Sequence, residues 1–186
     1  ASAVEWLPGA PLGEAGVALP GTAEDQAAQH NALGQVLACI HNVTLALQLP
    51  ASFNRPAWDI DGLTGETPFW GRFWDHPALT EPERGQMLAA RAFLRAALQN
   101  HAKTTPLMPI HADVLRENIL VDGAALSLID FDDSGMGFGL YDLGTVLSQN
   151  LYEPAYAEIR AGLIAGYQTL RPADARMVDV FTLARC

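Results

Sequence analysis

The chain has 186 residues, of which 49% are hydrophobic and 17% charged. This length and balance are typical of one globular domain with a sizeable core, and they exclude a disordered chain. The formal net charge of −10 argues against a nucleic-acid or anionic-membrane partner, because both require positive charge on the protein. No apolar run reaches the roughly 20 residues of a transmembrane helix, and Cys39 and Cys186 lack a zinc-type spacing. We therefore expect a soluble, reduced, cytoplasmic protein.

The first half of the chain predicts a linking segment followed by two long helices. Residues 1–21 are rich in Gly and Pro and are typical of an extended segment, which separates them from a domain at 22–186. Thr22 is placed to cap a helix, and an apolar stripe from Leu33 to Leu47 predicts that this helix ends near Pro50. A second apolar stripe predicts a helix over 82–101.

Residues 52–82, between these two helices, are irregular and aromatic. They form either a hydrophobic cluster beneath a long loop or a wall of a binding cleft, and the first interpretation is favoured. Three histidines lie in or next to the predicted helices. His41 is expected to be a core or boundary histidine with its hydrogen bonds satisfied, whereas His30 and His101 are expected at the surface.

The second half predicts short strands and then further helices. An apolar run at 107–110 and two runs at 119–121 and 125–129 predict strands, with Asp122 and Gly123 at the turn of a hairpin. Helices are expected near 141–151, 154–170 and from 172 to 186.

The geometry of this hairpin places an amide and a carboxylate together. If residues 122–125 form the loop, Val121 pairs with Leu126, and Asn118 then lies opposite Ile129 and beside Asp130. Hard oxygen ligands on neighbouring strands suit Mg²⁺, which binds through one or two protein groups together with substrate phosphates and water. The sequence thus predicts a Mg²⁺ site at the open end of the hairpin.

A further carboxylate, Asp113, precedes Asn118 by five residues on the loop that enters the hairpin. It can face the same space and accept a proton from a substrate hydroxyl. Protein kinases use this arrangement of one Asp and one Asn on a loop, with a second Asp after a strand, to hold their metals.

Three segments carry a resemblance to a known family. The segment H-A-D-V-L-R-E-N-I-L, which begins at His111, resembles the H-G-D-x-x-x-x-N-I/V-L loop of the aminoglycoside phosphotransferase and homoserine kinase-like enzymes. I-D-F-D-D from Ile129 and Y-D-L-G from Tyr141 resemble that family's I-D-F-D-D and Y-D-L-A. Weaker matches are W-L-P-G from Trp6, similar to the stretch after the interlobe hinge, and L-A-C-I-H from Leu37.

The resemblance implies a role for each matching residue. Asp113 would be the catalytic base or hydroxyl-orienting group, and Asn118 and Asp130 would be ligands of the Mg²⁺ that accompanies ATP. His111 would brace the loop, and Asp142 would support its backbone. Asp132 and Asp133 match as well, but a local structural role is equally expected for them.

The resemblance also implies an α+β fold, namely the mainly helical C-terminal lobe of a protein-kinase-like enzyme. Glu5, Trp6 and Leu7 would then be hinge-like nucleotide-contacting residues. The Gly-rich hairpin and strand lysine that cover the nucleotide in such enzymes are not found in the sequence, so an N-terminal lobe would be a missing partner. Ala112 replaces the family's Gly, which raises the question of whether φ is positive there.

These features predict an ATP- and Mg²⁺-dependent kinase of a small hydroxylated molecule, such as an aminoglycoside or amino alcohol, that is inactive as these 186 residues alone. A second interpretation is a non-catalytic, pseudokinase-like module that binds a partner through the aromatic residues from Trp58 to Trp74. A third is a metal-dependent hydrolase, which is weaker because further metal ligands are lacking.

Overall fold

The computed structural model describes residues 6–186, in which mainly helical structure surrounds two small sheets. The helices are α1 (Ala23–Leu45), α2 (Ile60–Thr64), α3 (Glu81–His101), α4 (Leu140–Asn150), α5 (Tyr156–Gln168) and α6 (Ala175–Arg185). The strands are β1 (Ala10–Pro11), β2 (Ala57–Trp58), β3 (Met108–Ile110), β4 (Ile119–Asp122), β5 (Ala125–Leu128) and β6 (Gly135–Gly137). The predicted α+β class and the two long helices are confirmed.

The two sheets lie on either side of the loop that precedes β4. One has the order β1-β4-β5 and is antiparallel throughout, while the other has the order β2-β6-β3. In the second sheet β2 runs parallel to β6 and β3 runs antiparallel to it. Because β3 belongs to one sheet and β4 to the other, residues 111–118 connect the two sheets.

Both long helices begin at a capping box. The side chain of Thr22 accepts from the Asp25 backbone N–H, and Asp25 accepts in return from the Thr22 backbone N–H. Thr80 and Glu83 form the same arrangement at the start of α3. Each box satisfies backbone donors that the first helical turn cannot pair, which explains the sharp start of these helices.

Glycines allow α1 and α5 to pack at unusually close range. A Cβ added to Gly34 would collide with the Leu163 carbonyl oxygen, and one added to Gly166 would collide with the Asn31 carbonyl oxygen. Backbone therefore packs directly on backbone, as small residues permit. This contact fixes α1 against the C-terminal helices and builds much of the core.

The aromatic segment 52–82 contains elements that the sequence did not predict. Strand β2, helix α2 and a 3₁₀ turn at Phe73–Asp75 lie within it. Trp58 and Trp74 are buried, whereas Phe69 and Trp70 are about half exposed. The segment is thus part core and part exposed surface.

Two features differ from what the sequence indicated. His30 is fully buried in α1 and His101 is partly buried, so the expectation that both lie at the surface was wrong. Leu12 and Leu19 are also buried, which anchors the residues between Pro11 and α1 to the rest of the molecule. No helix within residues 6–186 combines the length and the apolarity needed to cross a bilayer.

Candidate active site

The hairpin has the register that the sequence predicted. Val121 pairs with Leu126, and Asp122 pairs with Ala125 around a turn in which Gly123 has a φ of +59°. Beyond the ladder, the Ile129 backbone N–H donates to the Asn118 carbonyl oxygen over 3.0 Å. Asn118 is therefore held directly beside the residue that precedes Asp130.

Asp113 and Asn118 form one hydrogen-bonded unit. The Asn118 amide nitrogen donates to the Asp113 carbonyl oxygen over 2.9 Å and to its carboxylate over 3.1 Å. Both interactions use the Nδ2 atom. The Asn118 Oδ1 atom accepts no hydrogen bond from any residue between 6 and 186. Asn118 thus presents an amide oxygen while its nitrogen positions the Asp113 carboxylate.

His111 connects the loop to the end of β5. Its Nε2 atom lies 2.9 Å from the Ile129 carbonyl oxygen, and its Nδ1 atom lies 3.2 Å from the Asp113 backbone nitrogen. The carbonyl can only accept and the backbone N–H can only donate, so the ring carries its proton on Nε2 and accepts at Nδ1. The ring of Phe131 packs on His111 at a centroid distance of 4.4 Å.

The carboxylate of Asp142, at the start of α4, binds the backbone of the same loop. Its carboxylate accepts from the His111 N–H over 3.0 Å and from the Ala112 N–H over 2.8 Å. A third partner is His41 of α1, whose Nε2 atom lies 3.0 Å from Asp142 Oδ2. All three contacts are buried, and His41 is a core histidine with both ring nitrogens satisfied, since its Nδ1 contacts the Tyr167 hydroxyl at 2.9 Å.

Two residues of the site adopt left-handed backbone conformations. Ala112 has a φ of +69° and Asp130 a φ of +62°. The position at which the resembled family has glycine thus does require a positive φ, which an alanine adopts at a cost of roughly 1 to 2 kcal/mol. The strained turn at Ala112 is stabilised by Asp142, which binds its N–H.

A second 3₁₀ turn, Arg116–Asn118, lies directly before β4. It is anchored by a buried arginine that sequence reasoning did not single out. The Arg116 Nη2 atom binds Asn150 Oδ1 over 2.6 Å and Glu153 Oε1 over 2.5 Å. Its Nη1 atom donates to the Val17 carbonyl oxygen over 2.7 Å. Arg116 therefore ties the candidate catalytic loop both to the end of α4 and to the N-terminal segment.

Arg185 and Trp70 complete the surroundings of Asp113. The Arg185 Nη2 atom lies 2.8 Å from Asp113 Oδ1, and the guanidinium carbon lies 4.3 Å from the Trp70 ring centroid. The Trp70 indole N–H donates to the Tyr141 hydroxyl over 3.2 Å. No local pattern in the sequence marks Arg185, because the packing of α6 on α4 brings it to the site.

Electrostatics at Asp113 reflect two opposing effects. Partial burial raises the pKa of its carboxyl group, and the Arg185 guanidinium opposes that rise. The Asp133 carboxylate raises the pKa further, because a like charge disfavours the ionised form. The side chains of Asp113 and Arg185 remain 20% and 14% exposed, so the pair borders solvent.

Of the three hinge-like residues, Trp6 and Leu7 are described and both lie at the surface. Glu5 lies outside the described residues. Trp6 is 92% exposed and Leu7 lies at the surface. Their assignment as nucleotide-contacting residues stays a prediction.

The residues present fit a divalent cation held jointly with phosphates. Asn118 offers an amide oxygen with no intramolecular donor, and Asp130 offers an exposed carboxylate whose Oδ1 accepts only a long contact of 3.4 Å from the Asp132 N–H. Within residues 6–186 no group of three or more His, Cys, Asp or Glu side chains could enclose a metal. Two hard oxygen donors without a full cage match Mg²⁺ better than zinc.

The fold resembles that of solved structures of small-molecule kinases. A structure of a microcompartment-associated aminopropanol kinase superposes with a TM-score of 0.75 at 30% identity, covering 88% of this chain and 52% of that one. An aminoglycoside-3'-phosphotransferase of type VIII superposes with a TM-score of 0.54 at 18% identity, covering 97% of this chain and 66% of that one.

The chain belongs to the phosphotransferase enzyme family, whose pattern it matches over residues 1–177. Among curated relatives, the homoserine kinase of Pseudomonas aeruginosa is 36% identical in an alignment of 102 positions that covers 50% of this chain and 31% of the relative. The homoserine kinase of Neisseria meningitidis serogroup B is 27% identical in an alignment of 133 positions that covers 64% of this chain and 42% of the relative. The chain thus spans about a third of the length of its curated relatives, and the resemblance noted in the sequence is confirmed.

Proposed function

We propose that this chain carries the catalytic residues of an ATP- and Mg²⁺-dependent phosphotransferase that phosphorylates a hydroxyl group of a small molecule, in the range from amino alcohols to aminoglycosides. The observation that carries this proposal is that hydrogen bonds join Asp113, Asn118 and the end of β5 into one unit. It brings a half-buried carboxylate and two further oxygens, of a kind that suits Mg²⁺, to one end of the hairpin. Membership of the phosphotransferase enzyme family supports the same chemistry.

In this proposal Asp113 binds the acceptor hydroxyl through its carboxylate, orients the oxygen towards the γ-phosphate and receives the proton. Asn118 holds that carboxylate in place through its Nδ2 atom. Asn118 Oδ1 and the Asp130 carboxylate would hold Mg²⁺, which when bound neutralises charge on the phosphates. His111 and Asp142 fix the loop backbone so that the carboxylate stays aimed at the substrate.

The test uses the complete natural chain and separates nucleotide binding from turnover. Asp130→Ala is expected to abolish Mg²⁺-dependent ATP binding measured by calorimetry, whereas Asp113→Asn is expected to keep that binding and to lower kcat by at least about 100-fold. Asp122→Ala, at the exposed opposite end of the hairpin, is the matched control and is expected to change neither. ATP binding that is unaffected by Asp130→Ala would contradict the proposal.

Residues 1–186 by themselves are expected to show little or no kinase activity. No G-x-G-x-x-G segment occurs in the sequence. A site without a phosphate-covering lobe loses most of its positioning and charge stabilisation. Measurable ATP-dependent phosphorylation of any small alcohol by the purified 186 residues would refute this expectation.

The same measurements address the alternative of a non-catalytic binding module. Of the tryptophans proposed to bind a partner, Trp58 and Trp74 are buried, so the described surface offers mainly Phe69 and Trp70. A complete natural chain whose thermal stability does not change with ATP and Mg²⁺ would favour the module. A stability increase that Asp130→Ala removes would favour the enzyme.

A further inference from the structure

We propose that Arg185 is a positioning residue for the phosphoryl transfer, which holds the Asp113 carboxylate from the side of α6 in the orientation that receives the acceptor hydroxyl. Trp70 is the platform on which Arg185 is fixed. The inference rests on the proposed function and deepens it, because it gives α6 and the aromatic segment a part in the reaction.

The first observation is that the two carboxylate oxygens of Asp113 are held by different elements. Arg185 Nη2, on α6, lies 2.8 Å from Oδ1, and Asn118 Nδ2, at the end of the loop that carries Asp113, lies 3.1 Å from Oδ2. The carboxylate plane therefore cannot turn without breaking one of these two bonds. Each oxygen has two lone pairs, so each keeps one for an acceptor hydroxyl. The two contacts fix the direction of Asp113 and leave it able to bind that hydroxyl.

Arg185 is the stronger of the two restraints. Asn118 Nδ2 is a neutral donor that also binds the Asp113 carbonyl oxygen over 2.9 Å. The Arg185 contact joins a guanidinium to a carboxylate, and hydrogen bonds between ionised groups are shorter and stronger than neutral ones. Without Arg185, the carboxylate would be held only by a residue of its own loop.

Trp70 fixes Arg185 in turn. The guanidinium carbon lies 4.3 Å from the Trp70 ring centroid, a distance at which a cation is attracted to the face of an indole. Trp70 is half exposed, but its N–H donates to the Tyr141 hydroxyl over 3.2 Å, and its ring centroid lies 5.4 Å from that of the buried Trp58. Stacking of this kind limits the rotamers of the arginine before any acceptor arrives. Arg185 is thus pre-organised for its contact with Asp113.

The fold does not need this contact to place α6. Phe181 of α6 is fully buried, and a Cβ added to Gly144 of α4 would collide with the Phe181 backbone. Elsewhere on α6, Asp179 accepts from Arg160 Nε over 2.7 Å and from Arg160 Nη2 over 2.8 Å. The pair of Arg185 with Asp113 borders solvent, where a single ion pair contributes little to stability. Replacement of Arg185 is therefore expected to leave α6 in place.

Steady-state kinetics on the complete natural chain tests the role of Arg185. The acceptor is whichever of homoserine, aminopropanol, ethanolamine, choline and kanamycin that chain phosphorylates fastest. Arg185→Gln is expected to lower kcat about 10-fold and to leave the acceptor KM and Mg²⁺-dependent ATP binding within about 2-fold, because orientation of Asp113 matters in the transition state. Arg185→Lys keeps the charge and is expected to restore part of the rate, with a loss of about 3-fold. Arg176→Gln, at an exposed position of the same helix, is the matched control and is expected to change none of these values.

Two variants of Trp70 test the platform without changing Arg185. Trp70→Leu removes the aromatic face and is expected to lower kcat by about 3-fold, again with little change in KM. Trp70→Phe keeps an aromatic face and is expected to retain most of the rate. Because Trp70 is half exposed, neither variant is expected to unfold the protein.

A double-mutant cycle separates support of Asp113 from a direct role of Arg185. Asp113→Ala removes the carboxylate that Arg185 orients, so the addition of Arg185→Gln is expected to change the remaining rate by less than about 2-fold. Single-turnover measurements with the enzyme in excess make this slow rate measurable.

Three outcomes would overturn the inference. The first is an unchanged kcat in Arg185→Gln. The second is a loss that appears mainly in KM or in ATP binding, which would mean that Arg185 acts on binding and not on the orientation of Asp113. The third is a loss in the Asp113→Ala background as large as in the unaltered chain, which would give Arg185 a role of its own. A kcat that Asp113→Ala leaves unchanged, or no turnover of any acceptor in the panel, would instead refute the proposed function and the inference with it.

Discussion

The Asp142 carboxylate supports the loop backbone through a chain of buried hydrogen bonds that extends to α5. Arg171 donates to the Tyr167 hydroxyl over 3.0 Å, which leaves that hydroxyl free to donate to His41 Nδ1. His41 in turn donates to Asp142, which binds the backbone N–H groups of residues 111 and 112. Residues far from the proposed chemistry can thus alter the aim of Asp113.

Replacement of His41 tests this series of hydrogen bonds. His41→Leu leaves the Asp142 carboxylate buried with one partner fewer, and the expected loss in the free energy of unfolding is about 3 kcal/mol. Tyr167→Phe keeps the ring and removes one hydroxyl, so the expected loss is about 1 kcal/mol. Urea denaturation of both variants measures these values, and a His41→Leu variant as stable as Tyr167→Phe would contradict the role assigned to His41.

His30 is expected to make the molecule less stable in mild acid. Burial lowers the pKa of His30 from its ordinary value, and the Gln26 carbonyl only partly opposes this effect. The unfolded chain therefore binds the proton more readily, so the stabilisation is complete above about pH 6.5 and is lost as the pH falls below that value. Burial acts on the pKa of His101 in the same direction.

The measurement is the melting temperature between pH 7.5 and pH 5.5. His30→Phe removes the titrating group and is expected to show a shallower decline than the unaltered chain. His76→Gln, at an exposed histidine, is expected to decline as the unaltered chain does. Identical slopes in all three proteins would show that His30 contributes nothing to the pH dependence.

At the scale of single residues, the sequence predicted those members of the candidate site that lie close to one another along the chain. Asp113, Asn118 and Asp130 belong to one loop and one hairpin, so spacing and strand pairing are enough to bring them together. Arg185 and Trp70 reach the same place only because helices pack in three dimensions. Spacing along the chain carries no information about that approach.

At the scale of elements, the contact between α1 and α5 depends on missing side chains. Gly166→Ala is expected to destabilise the protein by about 2 kcal/mol or more, because the new methyl group would meet the Asn31 carbonyl oxygen and force the helices apart. Gly85→Ala in α3 is the matched control, since a Cβ there meets nothing within 4 Å. It is expected to stabilise the protein by roughly 0.5 to 1 kcal/mol.

Thermal or urea denaturation of the two glycine variants measures the contrast. A Gly166→Ala variant that is as stable as Gly85→Ala would mean that α1 and α5 can move apart without cost. The opposite signs expected for the same chemical change make the comparison independent of helix propensity.

The long helices were predictable because their apolar stripes and caps are local signals. Strand β2 was not, because it has only two residues and pairs in parallel with β6, from Ala57 to Met136. Such a strand owes its existence to a distant partner rather than to its own pattern. Helix α2 has five residues, too few for a periodic signal.

At the scale of the whole molecule, the segment between β1 and α1 is anchored to the core. Leu12 and Leu19 are buried, and Arg116 donates to the Val17 carbonyl oxygen. The double variant Leu12→Ala and Leu19→Ala is expected to lower the free energy of unfolding by about 4 kcal/mol or more. Val17→Ala, at an exposed side chain, is the control. Equal stability of the double variant and the control would mean that this segment is only a linker, as the sequence indicated.

The antiparallel pairing of β1 with β4 also limits where the N-terminal part of the chain can bend. Ala10 and Pro11 pair with β4, the strand that directly follows Asn118, and the Leu12 N–H adds bonds to the Arg116 and Ile119 carbonyl oxygens. Gly9, with a φ of +118°, is the last residue before this attachment. A rotation of the residues before Gly9 must therefore take place at or ahead of Gly9, and any force transmitted beyond Gly9 acts directly on β4.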